Sequence, residues 1–380
     1  MTRIEGHRAR TDPLPAEAEQ AVGRIESAGA EPAAPAPVPG GGAARAKAPS
    51  GPAPGPDRLA GDLLARRLAR AEAPALPSWY PKDFDLDRAA AAAASILREQ
   101  GEPPGSIGPG KARSIVFTDA DLTLLQTSVP VYLAHRETGE LLADPATGRP
   151  FELGLGPDRD QTKELAELKV RHPDVRFDDY RFDFRAFDSA EEILATPEIP
   201  QTTGLLRRSD RGGPQNREIV VTARQFDSVP PAIDRYLAAR GVDANGVFAV
   251  KSPAHAPKLG VDRPDLGTPE RKALAMAALL KVYAPAAAEV DTVKVLDDGD
   301  WNLAAAAELL PKLFPKTRFE FVDVVHAGGG KYEHRVMARS APGGKQGDLV
   351  DGAGRPVPPD LLAKRAYRSA DAPHPAPPRP

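Results

Sequence analysis

The stretch IVFTDADLTLL, residues 115–125, is an apolar, β-branched run that stops abruptly at Asp119 and Asp121. Residues 114–118 are too short and too β-branched for a helix, so they read as a buried strand. From Glu218 onward the pattern becomes regular. EIVVT, VFAV, TVKVLDD and FEFVDVV read as strands, and residues 227–240, 269–283 and 301–313 between them read as helices, the first closed by Gly241. Strands alternating with helices of this length predict an α/β fold with a mostly parallel sheet covered on both faces.

Upstream the pattern is looser. Residues 57–73, DRLAGDLLARRLARAEA, place Leu59, Leu63, Leu64 and Leu68 on one face of a short helix, which predicts docking of that face. An alanine-rich helix is predicted over 86–100, ended by Gly101. After the first strand, 129–135 and 140–143 predict a hairpin turning at ETG, 161–170 a helix, and FDDYRFDFRAFDSAEEIL an extended aromatic segment leading into another helix. HAGGGK, residues 326–331, lacks the spacing and the hydroxyl of a phosphate-binding loop and reads as a turn.

Composition changes the picture at the ends. Half of the 42 Pro fall before Tyr80 or after Ser340, and residues 31–56, EPAAPAPVPGGGAARAKAPSGPAPGP, have no apolar period. Such a segment buries too little to offset its ordering entropy, so Pro/Ala-rich, disordered termini are expected. The predicted organisation is an N-terminal region over 1–77, a folded domain over 78–339 and a flexible tail over 340–380.

Fifty basic and 53 acidic residues leave a formal charge of −3, which gives no sign of a polyanion or an anionic membrane as partner. The absence of cysteine excludes disulfides, thiolate metal sites and a thiol nucleophile. No apolar stretch approaches the ~18 residues of a spanning helix, and the first residues lead into no hydrophobic signal region. A cytoplasmic protein without a membrane partner is expected, with signal-independent export as the alternative.

In parallel α/β sheets ligands bind beyond the carboxyl ends of the strands. Those ends carry Asp119 and Asp121, Thr222, and Asp297 with Asp298, while Lys272 opens a helix. Residues two apart on an extended chain point the same way, so the first two aspartates project together. So many carboxylates in a partly buried crevice require compensation, and a hard divalent cation, Mg2+, supplies it. The seven His show no metal-ligand spacing, and His135, His255 and His326 read as surface or core residues.

This ordered set resembles the haloacid dehalogenase-like (HAD) hydrolase superfamily. Its first motif, an apolar strand followed by D-x-D-x-T, stands here as Asp119, Ala120, Asp121, Leu122 and Thr123; its second, a strand ending in Thr or Ser, as IVVTAR with Thr222; its third, a Lys at a helix start, as Lys272; its fourth, an apolar strand ending in acids, as VKVLDDGDWN. The resemblance implies a Rossmann-like three-layer sandwich and a Mg2+-dependent phosphatase acting through an aspartyl phosphate. Asp119 is then the nucleophile, Asp121 the acid and base, Thr222 and Lys272 the phosphate-holding groups. Thr123, Ala223 and Arg224 would join Thr222 in binding substrate. Asp119, the Asp121 carbonyl and Asp298 would hold the ion, with Asp297 a further or supporting ligand. Asp300 is the expected N-cap of the last helix, and Trp301 and Asn302 are expected to be structural.

Residues 127–216, between the first two motifs, correspond to the cap or flap insertion of that superfamily. They mix Arg149, Arg171, Arg176, Arg181 and Arg185 with the aromatics Tyr180, Phe182, Phe184 and Phe187. Packing is the first expectation for those rings. The expected partner is a small-molecule or nucleotide phosphate ester, or a nucleic-acid end. The rival readings are a catalytically silent binding module with partner-recruiting flanks and a phosphotransferase. A receiver-type phosphoacceptor is disfavoured, because Lys272 precedes the second acidic pair.

Overall fold

Strand β1, Ser114–Thr118, is inaccessible over nearly its whole length, and its alternating side chains feed two different cores. In the computed structural model, which describes residues 75–156, 161–284, 290–341 and 348–357, it is an inner strand of a seven-stranded sheet. The others are β5 (Asn216–Thr222), β6 (Gly246–Ala249), β7 (Thr292–Asp297), β8 (Arg318–His326), β9 (Tyr332–Ser340) and β10 (Leu349–Val350), in the order β10-β9-β8-β7-β1-β5-β6. β8, β7, β1, β5 and β6 run parallel, while β9 and β10 pair antiparallel.

Ile115 and Phe117 join Ile219, Val221, Val293 and Val295 against α1 (Leu86–Glu99), α6 (Thr268–Tyr283) and α7 (Asp300–Leu313). On the other face Val116, Val220 and Leu296 meet α3 (Ala190–Ala195), α4 (Pro200–Asp210) and α5 (Val229–Ala238). That period-two sorting is why the buried strands read as continuous apolar runs. From β1 the chain builds β5 and β6 on one flank and then crosses to β7 on the other. The loops leaving β1 and β7 therefore diverge, and a crevice opens at their carboxyl ends.

The segment between β1 and β5 forms its own small sheet, β3-β2-β4, from β2 (Val129–His135), β3 (Leu153–Leu155) and β4 (Tyr180–Asp183), with α2 (Gln161–Arg171) in its sequence. Val129, Val131, Leu133, Leu153, Leu168 and Phe187 form its core.

Several expectations need correction. The hairpin itself is present: it turns at Gly139, whose N–H donates to His135 O, and its arms pair through His135 N to Glu140 O, Leu142 N to Leu133 O and the bridge of Ala134 with Leu141. What was not expected is that the chain turns again at once, Asp144 O accepting from Gly148 N, and that β2 also pairs with β3 and β4. α4 and β9 were not anticipated: α4 opens on Ile199 without a side-chain cap, and β9 alternates burial only loosely. The expected tail begins later than Ser340, because Leu349–Val350 pairs with β9. The turn between β8 and β9 places Gly328, Gly329 and Gly330 all at positive φ, a run only glycine adopts without strain. The predicted helix at 57–73, with residues 1–74 and 358–380, lies outside the described residues. Among the described residues no helix is long and apolar enough to cross a membrane.

Candidate functional site

Sheet register sets the site. Thr118 is level with Leu296 on β7 and with Val220 on β5, so one step on, Asp119 stands beside Asp297. The Asp119 N–H donates to Leu296 O at 2.9 Å, carrying the ladder to the edge of the crevice. Thr222 ends β5 on the opposite side of β1 and is fully buried.

Lys272 comes in from the first turns of α6, a helix buried nearly all round. Its ammonium lies 2.9 Å from Asp119 Oδ2 and 2.8 Å from Asp297 Oδ2. Burial alone would discharge this lysine, but the two carboxylates outweigh it and hold its pKa above the ordinary value. Asp297 is fixed from the other side, its Oδ1 accepting from Gly299 N at 2.9 Å and from Asn302 Nδ2 at 2.7 Å. The N-cap of α7 is accordingly Gly299, with Asp300 as the first helical residue. Asn302 is structural in a specific sense: it orients Asp297.

Asp119 is nine-tenths buried, and its Oδ1 has no hydrogen-bond partner. Burial pushes its pKa up to about 7 against the pull of Lys272, with Asp297 and Asp121 adding to the rise. Asp298, which reaches solvent only in part, is pushed well above the usual carboxylate range by loss of hydration and then by Asp297 and Asp119. Asp119, Asp297 and Asp298 each offer a carboxylate oxygen, and these oxygens lie within 4.8 Å of one another. A single lysine balances one of three charges, and the orphaned oxygen of Asp119 requires a partner. Both features fit a hard divalent cation bound through oxygen. Asp297, already bonded at both oxygens, is the least free of the three.

The loop after β1 shapes the rest. Leu122 has φ 53, the one non-glycine residue at positive φ among those described. That conformation costs roughly 1–2 kcal/mol for a branched side chain, and the surrounding bonds, Leu122 N to Leu125 O and Leu124 N to Ala120 O, impose it. Thr123, expected at the substrate, is fully buried instead, its hydroxyl donating to Asp298 Oδ1 at 3.5 Å. It supports the acidic cluster.

Asp121 lies apart from that cluster. Arg224 clasps it with two bonds, Nη2 to Oδ1 at 2.7 Å and Nε to Oδ2 at 3.1 Å, and Thr127 Oγ1 adds a third at 2.6 Å. Arg224 is buried, with its guanidinium 5.4 Å from the centre of the Phe187 ring. Its backbone N–H donates to Thr222 Oγ1 at 3.4 Å, and Ala223 between them is half-buried. The structure thus joins Asp119, Asp297, Asp298 and Lys272 directly, and Asp121, Thr222 and Arg224 through the adjacent loop. The roles of Thr127 and Asn302 carried no sequence signal, since a Thr or Asn next to an acid is common anywhere. No protein-family model, curated protein or solved structure matches this chain.

Proposed function

We propose that this chain is a Mg2+-dependent phosphomonoester hydrolase of the HAD type, with a Rossmann-like sandwich as its scaffold. One observation carries the reading: a buried lysine binds two strand-end aspartates at once, beside a third carboxylate and an orphaned oxygen. Hydrolysis of a phosphate ester needs a positioned nucleophile and fixed positive charge around an anion, and a buried lysine fixed against Asp119 supports that reading.

In this reading an Asp119 oxygen attacks phosphorus, the bond to the ester oxygen breaks, and the phosphoryl group rests on Asp119. Lys272, held between Asp119 and Asp297, neutralises charge on the transferring group and keeps the nucleophile aligned. The Thr222 hydroxyl donates to a phosphoryl oxygen. Asp121 delivers a proton to the departing oxygen and then takes one from the water that releases inorganic phosphate and restores Asp119. Because Arg224 and Thr127 engage both Asp121 oxygens, Asp121 must give up one of these contacts when it handles a proton. Asp119, Asp298 and in part Asp297 would hold Mg2+, which when bound would neutralise charge on the phosphoryl oxygens.

The test is release of free phosphate from p-nitrophenyl phosphate and a panel of natural esters, with and without Mg2+, by the intact chain and by Asp119→Asn. Metal-dependent release that Asp119→Asn abolishes is the expected result. No release from any ester would favour a binding module, and ester consumption without free phosphate would favour transfer to another acceptor.

A further inference from the structure

A cavity of about 520 Å3 opens beside the acidic centre, where β7 and β8 end. Asp298 forms part of its wall, and one oxygen of Asp298 lies within 4.8 Å of one from each of Asp119 and Asp297. Leu122, from the loop after β1, and Gly156, from the inserted segment, also line it. The cavity therefore shares a wall with the reaction centre itself.

The rest of the lining is acidic and aromatic. Asp323 contributes from β8, level with Asp297 across the β7–β8 pair; it is half-buried, and its carboxylate makes no hydrogen bond or ion pair among the described residues. Nor does it belong to the trio of acids whose oxygens converge, so an ion bound there leaves Asp323 uncompensated. Trp301, in the first turn of α7, adds an indole ring, and Tyr332 and His326, with their rings 5.1 Å apart, add two more aromatic faces. No Lys or Arg stands among the described residues that line the cavity. This combination decides the charge of the occupant. An anionic group is repelled by the carboxylates, and a neutral alkyl group strips water from Asp323 and returns no bond to it. A cation gains from the carboxylates and, over an aromatic face, from the negative potential of the ring.

We propose that this cavity receives the cationic end of an amino-alcohol phosphate, a monoester whose alcohol half carries a quaternary or protonated nitrogen. The proposal rests on the phosphatase reading above and gives its substrate class. Asp323 is then a specificity-determining residue, pairing with the nitrogen, and Trp301 presents a ring face to it.

The test compares phosphocholine and phosphoethanolamine with 3,3-dimethylbutyl phosphate, the neutral isostere of phosphocholine, as substrates of the intact chain and then of Asp323→Asn at pH 8. A cation over one aromatic face is worth a factor of roughly 2 to 30. With a carboxylate beside that face, the expected kcat/KM for a cationic ester is about tenfold or more above that for the isostere, a ratio that Asp323→Asn cuts severalfold. Preference for phosphocholine identifies a quaternary nitrogen as the occupant, and preference for phosphoethanolamine identifies a primary amine. Equal rates for phosphocholine and the isostere, a ratio unmoved by Asp323→Asn, or faster hydrolysis of the anionic ester 3-phosphoglycerate would overturn the proposal. Binding of phosphocholine and of the isostere to Asp119→Asn, measured by isothermal titration calorimetry with and without Asp323→Asn, separates the two readings. Tighter binding of phosphocholine that Asp323→Asn removes, with no turnover by the intact chain, leaves the cavity assigned and removes the phosphatase; turnover without that preference does the reverse.

Discussion

Lys272 Nζ lies 2.9 Å from Asp119 Oδ2, with only 1% of the lysine side chain and 9% of the aspartate side chain exposed. A buried ion pair of this kind is marginal in net stability but costly to break, since removing one partner strands the other's charge. Here the lysine serves two carboxylates, Asp119 and Asp297. Lys272→Met is therefore expected to lower the free energy of unfolding by about 3–5 kcal/mol. Urea denaturation at neutral pH checks this, and a loss below about 1 kcal/mol would mean the carboxylates find other compensation.

If the surplus of carboxylates binds Mg2+ as proposed, the ion will stabilise the fold. A ligand that binds only the native state adds about 2.7 kcal/mol at a hundred times its Kd. Thermal unfolding of the intact chain should move upward as Mg2+ is titrated, and Asp298→Asn should remove most of that shift. An equal shift in Asp298→Asn would place the ion elsewhere.

Much of this centre was legible in the chain because it sits at strand ends. Asp119, Asp297 and Thr222 follow buried apolar runs, and parallel register alone brings such ends together. Lys272 was legible as the basic residue opening α6. What was hidden depends on side-chain direction: Thr123 turns inward to Asp298, and Arg224 spans to Asp121, choices made by the positive φ of Leu122 and the packing of Arg224 over Phe187. β9 and β10 were hidden for another reason. They lie toward the edge of the sheet, where burial is one-sided and charged residues such as Glu333 and Arg335 interrupt the pattern.

The clasp on Asp121 leads to a leaving-group test. A proton donor matters most when the departing oxygen is a poor leaving group, and hardly at all for p-nitrophenolate. Asp121→Asn should thus depress hydrolysis of an alkyl phosphate by about 100-fold or more, and of p-nitrophenyl phosphate far less. Arg224→Lys keeps the charge but loses the fork, and should show a weaker form of the same selectivity. Equal losses on both esters would assign Asp121 a purely positional role.

Glu218 lies within β5, 2% exposed, and its Oε1 has no hydrogen-bond partner. Burial raises its pKa to about 7, with Asp210 and Asp243 adding to the rise and the Ser209 hydrogen bond and Arg217 opposing it. The native state thus binds this proton more tightly than the unfolded chain, where the ordinary value is 4.5. Below that value both states are protonated and Glu218 is neutral in its effect. Between there and about pH 7 the unfolded state ionises first, so stability falls as pH rises, by up to about 3 kcal/mol above the folded pKa. Glu218→Gln removes the ionisation without changing the shape. It should unfold at higher urea than the parent at pH 8, with the gap closing as pH approaches 4.5. A gap that stays constant with pH would mean that the substitution acts through packing and that Glu218 does not titrate across this range.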